Sequence, residues 1–539
     1  MTVIDSSKLK TSTVTITDAA KAFESDGVEL RGFTIQNGIG SRAERLNNER
    51  AGGGLYCVNA HAVVRDCQFI DNTAYYGGGL YHYAGSITLE DCLFLRNEAR
   101  RGAGAYLDHP GRQGHTTLER VEFTGNVASE MGGGLLLWYG GNRLQPTVRV
   151  LDCLFQYNDG AGVGGGGALA ASVPNIRFER CRFYSNLGGR GGGVYIDASD
   201  FYRVVDCDFE FNFASKWNGG WGGGASLLDG GQDGLVERCR FRSNFASRDA
   251  GGALITGRVN ACVFEGNVSA QGGAVLAERA TFSSSLFLNN EATSFGGAIA
   301  GDMRIDAYHC TFVRNRAPMT SIADYRVELY NCIIADGNQR PYGGFSAAYS
   351  LVEGGWIGAG NFDADPQFVD AIAGDYRLGP DSPALDAGSH ARFVEMFEID
   401  EPRLNAIDLD GELRLASPFA DLGAFERPVS MKAPLTLATP GPYHGEPEVS
   451  TQVGAATPGA TVVLVAGGRR GVTPVPGCSG LVLELARPRV VGRDIADEWG
   501  VANRFLVDPP PNLSGRRLLL QAVTDSPCEV TELVEYRPN

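Results

Sequence analysis

The sequence predicts an all-β protein whose main part is a parallel β-helix, and three observations lead to this fold. A short motif returns along the first 335 residues: a cysteine, a phenylalanine two positions later and an asparagine three positions after that. Successive copies begin 22 to 32 residues apart, a repeat length typical of solenoids. Alternating apolar and polar residues precede and follow each copy, and this period of two indicates strands rather than helices.

The motif occurs in successive copies, and a degenerate copy with Cys332 and Ile334 follows them. Three short strands in each repeat would form one coil, and about eleven coils stacked at roughly 4.8 Å would extend over about 50 Å. The copies are Cys67-Phe69-Asn72, Cys92-Phe94-Asn97, Val121-Phe123-Asn126, Cys153-Phe155-Asn158, Cys181-Phe183-Asn186, Cys207-Phe209-Asn212, Cys239-Phe241-Asn244, Cys262-Phe264-Asn267, Ser285-Phe287-Asn290 and Cys310-Phe312-Asn315.

Each motif position has a predicted structural role. The cysteine and the phenylalanine lie two residues apart in a strand, so both side chains would point into the interior of the coil stack. The asparagine would lie at a turn, where its amide can hydrogen-bond to the neighbouring coils. The glycine runs that follow would permit tight turns and close stacking. The motif cysteines are therefore expected to be free buried thiols rather than disulfides or metal ligands.

Charge and hydropathy exclude some functions. The formal net charge of −16 argues against a nucleic-acid partner, which needs a basic surface. No apolar run is long enough for a transmembrane segment. The opening residues alternate like a strand and lack the apolar core of a signal peptide. Met1 would then fall inside the first coils, whose uncapped end exposes unpaired strand edges, so we expect residues upstream of Met1 to be missing. The alternative is end-to-end self-assembly through an open first coil.

Two segments carry a family resemblance. Gly251-Gly252-Ala253-Leu254 and Gly296-Gly297-Ala298-Ile299 each follow a Phe-x-x-Asn motif. This pattern resembles the repeats of right-handed parallel β-helix proteins with polymorphic outer-membrane-protein-type repeats, over roughly residues 25 to 335. The resemblance implies a right-handed, pectin-lyase-like solenoid for residues 1–335. It implies no particular reaction, because this fold carries many functions.

The segment 336–427 has a different pattern. The stretch ADPQFVDAIAGDYRLGPDSPALDAGS, followed by DLDGELR and DLGAFE, resembles the choice-of-anchor Q domain, which caps β-helix repeats on bacterial surface and secreted proteins. Its carboxylates, such as Asp386 and Asp421, allow a catalytic or a calcium-binding interpretation. The competing interpretation is that Asp and Ser beside Pro and Gly hold turns by bonding to the backbone, and we favour it.

Residues 428–539 form the third predicted domain. Short alternating strands separated by Pro/Gly turns predict an antiparallel β-sandwich of immunoglobulin-like architecture. Cys478 and Cys528 lie outside the repeat motif, and we expect them to form a disulfide in an oxidising compartment.

A candidate ligand-binding edge follows from the longer repeats, whose extra residues lie at 107–116, 137–147 and 228–234. Coils stack in register, so these insertions should share one edge. Aromatic rings with carboxylates and arginines are typical of sugar-binding sites, although polar loop residues are more often only solvated. Asp229 and Asp233 also make a weak calcium site. The predicted ligand-binding residues are His82, Tyr83, Asp108, His109, Arg112, His115, Trp138, Tyr139, Arg143, Asp229 and Asp233.

A second patch precedes the glycine runs and contains Tyr75, Tyr76, Trp217 and Trp221. The tryptophans are expected either to pack over a neighbouring coil, which we favour, or to form an interaction surface. Charged pairs before the motif cysteines, such as Glu119-Arg120 and Glu179-Arg180, predict a solvated edge of salt bridges.

The sequence therefore favours a non-catalytic scaffold, extracellular or on the cell surface of a bacterium. Its expected partner is an extracellular polysaccharide or a surface protein, and no cofactor or metal is expected apart from the weak calcium site. The alternative is a polysaccharide lyase or glycoside hydrolase. Neither an adjacent Asp pair in the solenoid nor a Gly-x-Ser-x-Gly elbow is present to support that alternative.

Overall fold

The protein was analysed as a computed structural model, and its described residues fall into ranges with gaps between them. The described residues are 2–8, 10–17, 27–109, 114–139, 147–160, 162, 164–215, 219–229, 234–301, 303–335, 342–389, 407–412, 414, 420–427, 436–438, 449–454, 461–467, 470–475, 482–485, 489–495, 502–507, 518–525, 528–530 and 534–536.

The chain divides into two compact units, one comprising residues 1–306, 312–327 and 336–345 and the other the remaining residues. In the first unit, each repeat contributes strands to three parallel sheets. Sheet 1 contains the motif phenylalanines, and its strands pair in the order Thr2–Asp5, Phe33–Gln36, Gln68–Ile70, Leu93–Leu95, Glu122–Thr124, Leu154–Gln156, Arg182–Tyr184, Asp208–Glu210, Arg240–Arg242, Val263–Glu265 and Leu286–Leu288.

Sheet 2 has two rows of strands, and some strands are long enough to continue from the first row into the second. The first row, after the glycine runs, contains Val14–Thr17, Leu55–Val58, Leu80–Tyr83, Ala105–His109, Leu135–Tyr139, Ala168–Glu179, Val194–Val205, Ala225–Asp229, Ala253–Asn260, Val275–Ser283, Ile299–Gly301 and Ile322–Tyr330. The second row, before the motif cysteines, contains Val28–Arg31, Ala62–Arg65, Ile87–Glu90, Thr116–Glu119, Thr147–Leu151, Leu235–Glu237 and Arg304–Tyr308.

Sheet 3 is formed by the short strands that follow the motif asparagines. The strands of sheet 3 are Glu98–Arg101, Val127–Met131, Asp159–Gly160, Leu187–Gly188, Phe213–Ala214, Phe245–Ala246, Val268–Gln271 and Glu291–Phe295.

A separate hairpin belongs to an early repeat. It consists of Ser41–Ala43 and Glu49–Ala51, with the 3₁₀ turn Glu44–Leu46 between them.

The motif phenylalanines stack in the interior, as predicted. From Phe69 to Phe312, successive ring centroids are 4.6 to 5.0 Å apart and the ring planes are nearly parallel. Each ring is completely buried, so the row forms the apolar centre of the unit.

The motif asparagines form the predicted ladder. Asn97 is typical: its Nδ2 donates to Asn126 Oδ1 and to Phe69 O, both at 2.9 Å, and its Oδ1 accepts from the backbone N–H and the Nδ2 of Asn72. The same bonds recur along the ladder to Asn315. Every buried polar atom of these amides is thus satisfied, which holds adjacent coils in one register.

The motif cysteines are free and buried, as predicted, but they do more than fill space. Each thiol donates to the carbonyl two residues earlier, and backbone N–H groups bond to the sulfur of the next coil, as from Cys207 N to Cys239 Sγ at 3.4 Å. At Ser285 the hydroxyl replaces the thiol and accepts from Cys262 N at 3.1 Å. Burial raises the pKa of the Cys92 thiol to about 12, which keeps it protonated and unreactive.

The predicted edge of salt bridges is also present. Arg120 contacts Asp91 and Arg180 contacts Asp152, each with Nε to Oδ1 at 2.7 Å and each across one coil. Arg238 and Asp206 repeat the pattern. These side chains are about half exposed, so each pair contributes little to stability.

The second unit contains Ile333–Ala335 and Leu351–Val352, which are parallel, and the antiparallel pair Phe368–Asp370 and Asp375–Leu378. Four strands have residues in both units: Arg304–Tyr308, Thr311–Val313, Ile322–Tyr330 and Tyr342–Ala348. Further along, antiparallel sheets contain Thr436–Ala438, Val449–Gly454, Ala502–Val507, Arg489–Ile495, Thr461–Gly467, Leu518–Asp525, Cys528–Val530, Val534–Tyr536, Arg470–Pro474 and Val482–Leu485.

These strands agree with the prediction of an antiparallel C-terminal segment. The immunoglobulin-like architecture, the choice-of-anchor Q identity and the boundaries at 335 and 427 stay predictions. The disulfide also stays a prediction, because Cys478 lies outside the described residues and the side chain of Cys528 is not described.

Carboxylates of the 336–427 segment hold turns, as the favoured interpretation predicted. Asp408 Oδ1 accepts the backbone N–H groups of Asp410 and Glu412 at 2.9 and 2.7 Å, and such local bonds fix the chain direction. Asp421 instead joins separate parts of the segment, because it accepts the N–H groups of Asp386 and Arg427 at 2.7 and 2.9 Å.

Candidate ligand-binding face

Three of the predicted ligand-binding residues are interior, and their prediction as members of an exposed edge is wrong. His82, His109 and Tyr139 are almost completely buried. The strands of the first row of sheet 2 continue beyond the expected loop boundary, to Tyr83, His109 and Tyr139. Each of the three residues therefore alternates with an inward leucine and points inward as well.

These interior residues form a polar stack. The rings of His82 and His109 are 5.4 Å apart between centroids, and those of His109 and Tyr139 are 4.7 Å apart. His82 Nε2 contacts Ala60 O at 3.2 Å, and His109 Nε2 contacts Thr116 Oγ1 at 2.9 Å. Among the described residues, neither imidazole Nδ1 has a hydrogen-bond partner. The stack therefore favours neutral imidazole rings, because a protonated ring would bury a charged N–H without an acceptor.

We expect this stack to make the protein acid-sensitive. Burial lowers the pKa of His82 to about 4 and that of His109 to about 3. Because unfolded histidine titrates near 6.5, the unfolded chain binds more protons below that pH, and stability should fall as the pH drops from about 6.5 towards 3. At about 1.4 kcal/mol for each pKa unit, the loss should reach several kcal/mol. Urea denaturation between pH 7 and pH 4 measures it.

The matched variant for this prediction is His82→Gln combined with His109→Gln. Its stability should depend less on pH over the same interval, whatever its stability at pH 7. Equal pH dependence in the variant and the original chain would show that the two imidazoles do not cause the effect.

The outward side of the same strands carries three more of the predicted residues. Tyr83, Asp108 and Trp138 occupy one register position on three successive coils, and Trp138 is 40% exposed. A neighbouring register position carries Tyr56, Tyr81 and, one coil further on, Tyr106. We call the set Tyr56, Tyr76, Tyr81, Tyr83, Tyr106 and Trp138 the outer aromatic face.

Four tyrosine rings of the outer aromatic face, those of Tyr56, Tyr76, Tyr81 and Tyr106, contact one another. Tyr81 stacks on Tyr56 at 5.9 Å and meets Tyr106 edge to face at 5.4 Å between centroids. Tyr76, from the turn before the glycine run, lies 5.9 Å from Tyr106. One of the residues predicted for the second patch therefore joins the face formed by the first set.

A charged network crosses this face. Asp108 Oδ2 accepts from the Tyr81 hydroxyl at 3.2 Å and lies 3.3 Å from Arg45 Nη2, which comes from the 41–51 hairpin. Arg45 also lies over the ring of Tyr83. Burial raises the pKa of Asp108, and burial together with Asp108 raises that of Tyr81. A carboxylate, a hydroxyl and a guanidinium thus stand beside aromatic rings.

The remaining residues of the second patch pack against arginines. Arg100 lies over the Tyr75 ring at 4.9 Å, and Glu130 pairs with Arg101 at 2.6 Å. Trp221 lies between two arginines: the Cζ atoms of Arg190 and Arg248 are 4.6 and 5.4 Å from the centroid of its ring. This packing agrees with the favoured prediction for Trp221, while Trp217 lies outside the described residues.

Several predicted residues cannot be placed on the face. His115 is exposed, and its backbone holds it in place: its N–H donates to Ser86 Oγ at 3.1 Å and its carbonyl oxygen accepts from Ile87 N at 3.0 Å. The side chain of Asp229 is not described, so the predicted calcium site stays untested. Within the described part of the chain, no group of three His, Cys, Asp or Glu residues is arranged to hold a metal ion. The predicted residues outside the described ranges are Arg112, Arg143 and Asp233.

Sequence reasoning missed Tyr56, Tyr81, Tyr106 and Arg45. The three tyrosines each follow the first inward residue after a glycine run, so alternation from Leu55, Leu80 and Ala105 would have placed them outside together. No sequence signal indicates that Arg45 folds back onto them, because the described part of the other repeats contains no matching hairpin from which to extrapolate.

Comparison with known families agrees with this architecture. Residues 2–168 match the model of the right-handed β-helix region, and residues 284–302 match the repeat of Chlamydia polymorphic membrane proteins. A search of the curated proteins found no match. These matches and the parallel sheets support a right-handed parallel β-helix with repeats of the polymorphic membrane protein type. The repeat match indicates a surface-type β-helix protein. Among the described residues, none lies in a helix that could span a membrane.

Proposed function

We propose that the protein is a non-catalytic extracellular or surface scaffold that contacts carbohydrate through the outer aromatic face. The observation that supports this proposal is the alignment of aromatic side chains at adjacent register positions on successive coils, from Tyr56 to Trp138. A linear glycan presents a similar series of flat apolar ring faces, so it can contact several coils at once.

The polar groups suit the same ligand. Aromatic rings pack against the C–H faces of sugars, while Asp108 and Arg45 can accept from and donate to sugar hydroxyls. Tyr81 is fully buried beneath the hairpin, so it supports the face rather than touching a ligand. The residues that would contact the glycan directly are Trp138, which is exposed, and Tyr83, which is partly exposed.

Asp108 favours a second candidate function, a polysaccharide lyase or glycoside hydrolase. Burial raises its pKa although the Arg45 guanidinium and the Tyr81 hydroxyl beside it oppose the shift, and a perturbed carboxyl group is typical of active sites. The geometry gives this candidate less support. The next carboxylate in the same outward register row is Asp197, three coils away, or about 14 Å at the usual strand spacing. Hydrolases with paired carboxylates hold them within roughly 10 Å.

Replacing the exposed tryptophan should weaken glycan binding without unfolding the protein. On a glycan array, Trp138→Ala should lower the affinity for retained glycans roughly tenfold, because it removes one aromatic stacking surface. Tyr157→Ala is the matched control, since Tyr157 is 56% exposed and lies in the turn after sheet 1. Equal loss in both variants, or none in Trp138→Ala, would remove the outer aromatic face as the binding site.

Incubation with anionic and neutral polysaccharides, with and without calcium, separates the two candidate functions. The non-catalytic proposal predicts neither unsaturated products nor new reducing ends. Products that appear with the original chain and disappear with Asp108→Asn would establish the enzyme instead.

A further inference from the structure

Arginines stack on one another along the second row of sheet 2. Arg149, Arg177 and Arg203 occupy the same outward register position on three successive coils. Leu235 holds this position on the next coil, and Arg258 holds it on the coil after that. We call these four arginines the arginine row. It lies on different strands from the outer aromatic face, and mostly on later coils.

This arrangement differs from the salt-bridged edge of the same unit. There an arginine faces an aspartate across one coil, as Arg120 faces Asp91 and Arg180 faces Asp152. In the arginine row, Arg149, Arg177 and Arg203 lie opposite one another at about 4.8 Å, and like charges so placed are unfavourable in a sheet. Within the row, Arg177 pairs with Glu179 at 2.8 Å. Among the described residues, Arg149, Arg203 and Arg258 have no carboxylate within 4 Å.

A cleft lies at the end of the arginine row. It has a volume of about 600 Å³ and is lined by Arg258, Arg279, Arg304 and Thr281, with Met303 beside them. Asp306 pairs with Arg304 at 2.9 Å. Within the described chain, neither Arg258 nor Arg279 has a carboxylate partner. The cleft therefore carries a local positive charge on a chain whose net charge is −16.

The backbone turns sharply beside the cleft. Gly257 has a φ of +110° and Arg279 a φ of +58°, a conformation that recurs at turns of many coils. Arg279 and Arg258 both line the cleft. Like charges that are brought together without carboxylate partners are unfavourable for stability alone, so they favour a binding role for the cleft.

We propose that the cleft and the arginine row bind an acidic polysaccharide, with one carboxylate or sulfate group seated between Arg258 and Arg279 and further acidic groups along Arg203 and Arg177. A guanidinium binds such oxyanions through two parallel hydrogen bonds, which a point charge cannot reproduce. Arginines on three successive coils, followed after the Leu235 coil by Arg258, provide repeated contacts for a linear chain that carries several acidic groups. The net negative charge of the chain does not prevent this binding, because at physiological ionic strength salt screens the repulsion between the ligand and acidic residues more than about 8 Å away.

Fluorescence anisotropy with the full chain and labelled probes tests this proposal. The probes are an oligogalacturonide, dextran sulfate, neutral dextran and a single-stranded oligothymidylate. The acidic glycans should bind with an affinity that falls as salt increases, and neutral dextran should not bind. Arg203→Gln combined with Arg258→Gln should weaken acidic-glycan binding by at least about tenfold, because charged hydrogen bonds are lost.

The matched control is Arg240→Gln, which removes an exposed arginine from sheet 1 and should leave binding unchanged. Arg258→Lys should recover only part of the affinity, because lysine keeps the charge but loses the planar fork. Thermal unfolding of each variant confirms that it is folded. Binding unaffected by the double substitution, equal binding of neutral dextran, or binding of the oligothymidylate alone would overturn the proposal.

Discussion

Asn97→Ala should destabilise the protein by about 3 to 5 kcal/mol, because it leaves buried polar groups on both neighbouring coils without hydrogen-bond partners. The Asn97 amide donates to Phe69 O and Asn126 Oδ1 and accepts two bonds from Asn72. Alanine makes none of these bonds, and the site is fully buried, so bulk water cannot replace the amide directly. Urea denaturation followed by circular dichroism measures the loss.

Glu98→Ala is the matched control for Asn97→Ala, because Glu98 is the next residue and is exposed. It should change stability by less than about 0.5 kcal/mol. If the two variants unfold at the same urea concentration, the asparagine ladder does not hold the coils together.

Gly104→Ala should destabilise the protein by about 3 kcal/mol or more, through a collision between coils. A Cβ at this position would lie 2.7 Å from Phe123 Cδ1 and still closer to the carbonyl oxygen of Gly134 on the next coil. Backbone cannot move aside as a flexible side chain does, so the coils would have to separate locally. The unfolding free energy in urea measures this effect.

The control for Gly104→Ala separates collision from backbone strain. Gly32 has a φ of +79°, yet a Cβ there would meet nothing within 4 Å. Gly32→Ala should therefore cost only about 1 to 2 kcal/mol, the penalty of the left-handed conformation. A cost for Gly32→Ala equal to that for Gly104→Ala would mean that close coil stacking does not explain the glycine runs.

The repeated part of the fold could be predicted from the sequence because every copy repeats the same constraint. Cys67, Phe69 and Asn72 keep their spacing from coil to coil, and in-register stacking converts that spacing into continuous interior rows. The hydrogen bonds of the thiols were not predicted, although Ser285 at a cysteine position indicates a group that can accept a hydrogen bond.

The candidate site was predicted less well, because it depends on where strands end. His82 and His109 were assigned to an exposed edge on the assumption that the chain leaves the sheet after the inward leucines. The strands instead extend to Tyr83 and His109, which turns both histidines inward. Trp138 was placed correctly because its position alternates with two inward residues. The arginine row was missed because its register depends on insertions of unequal length.

Radical footprinting of side chains tests the central claim, that carbohydrate contacts the coils where the repeats differ. The full chain would be oxidised with and without a glycan that it retains, and modification would be measured at each aromatic residue by mass spectrometry. We expect the glycan to protect Trp138 and Tyr83 from oxidation, with no change at the exposed Tyr157 and Phe211. Protection of Tyr157 and Phe211 with unchanged oxidation of Trp138 would contradict it.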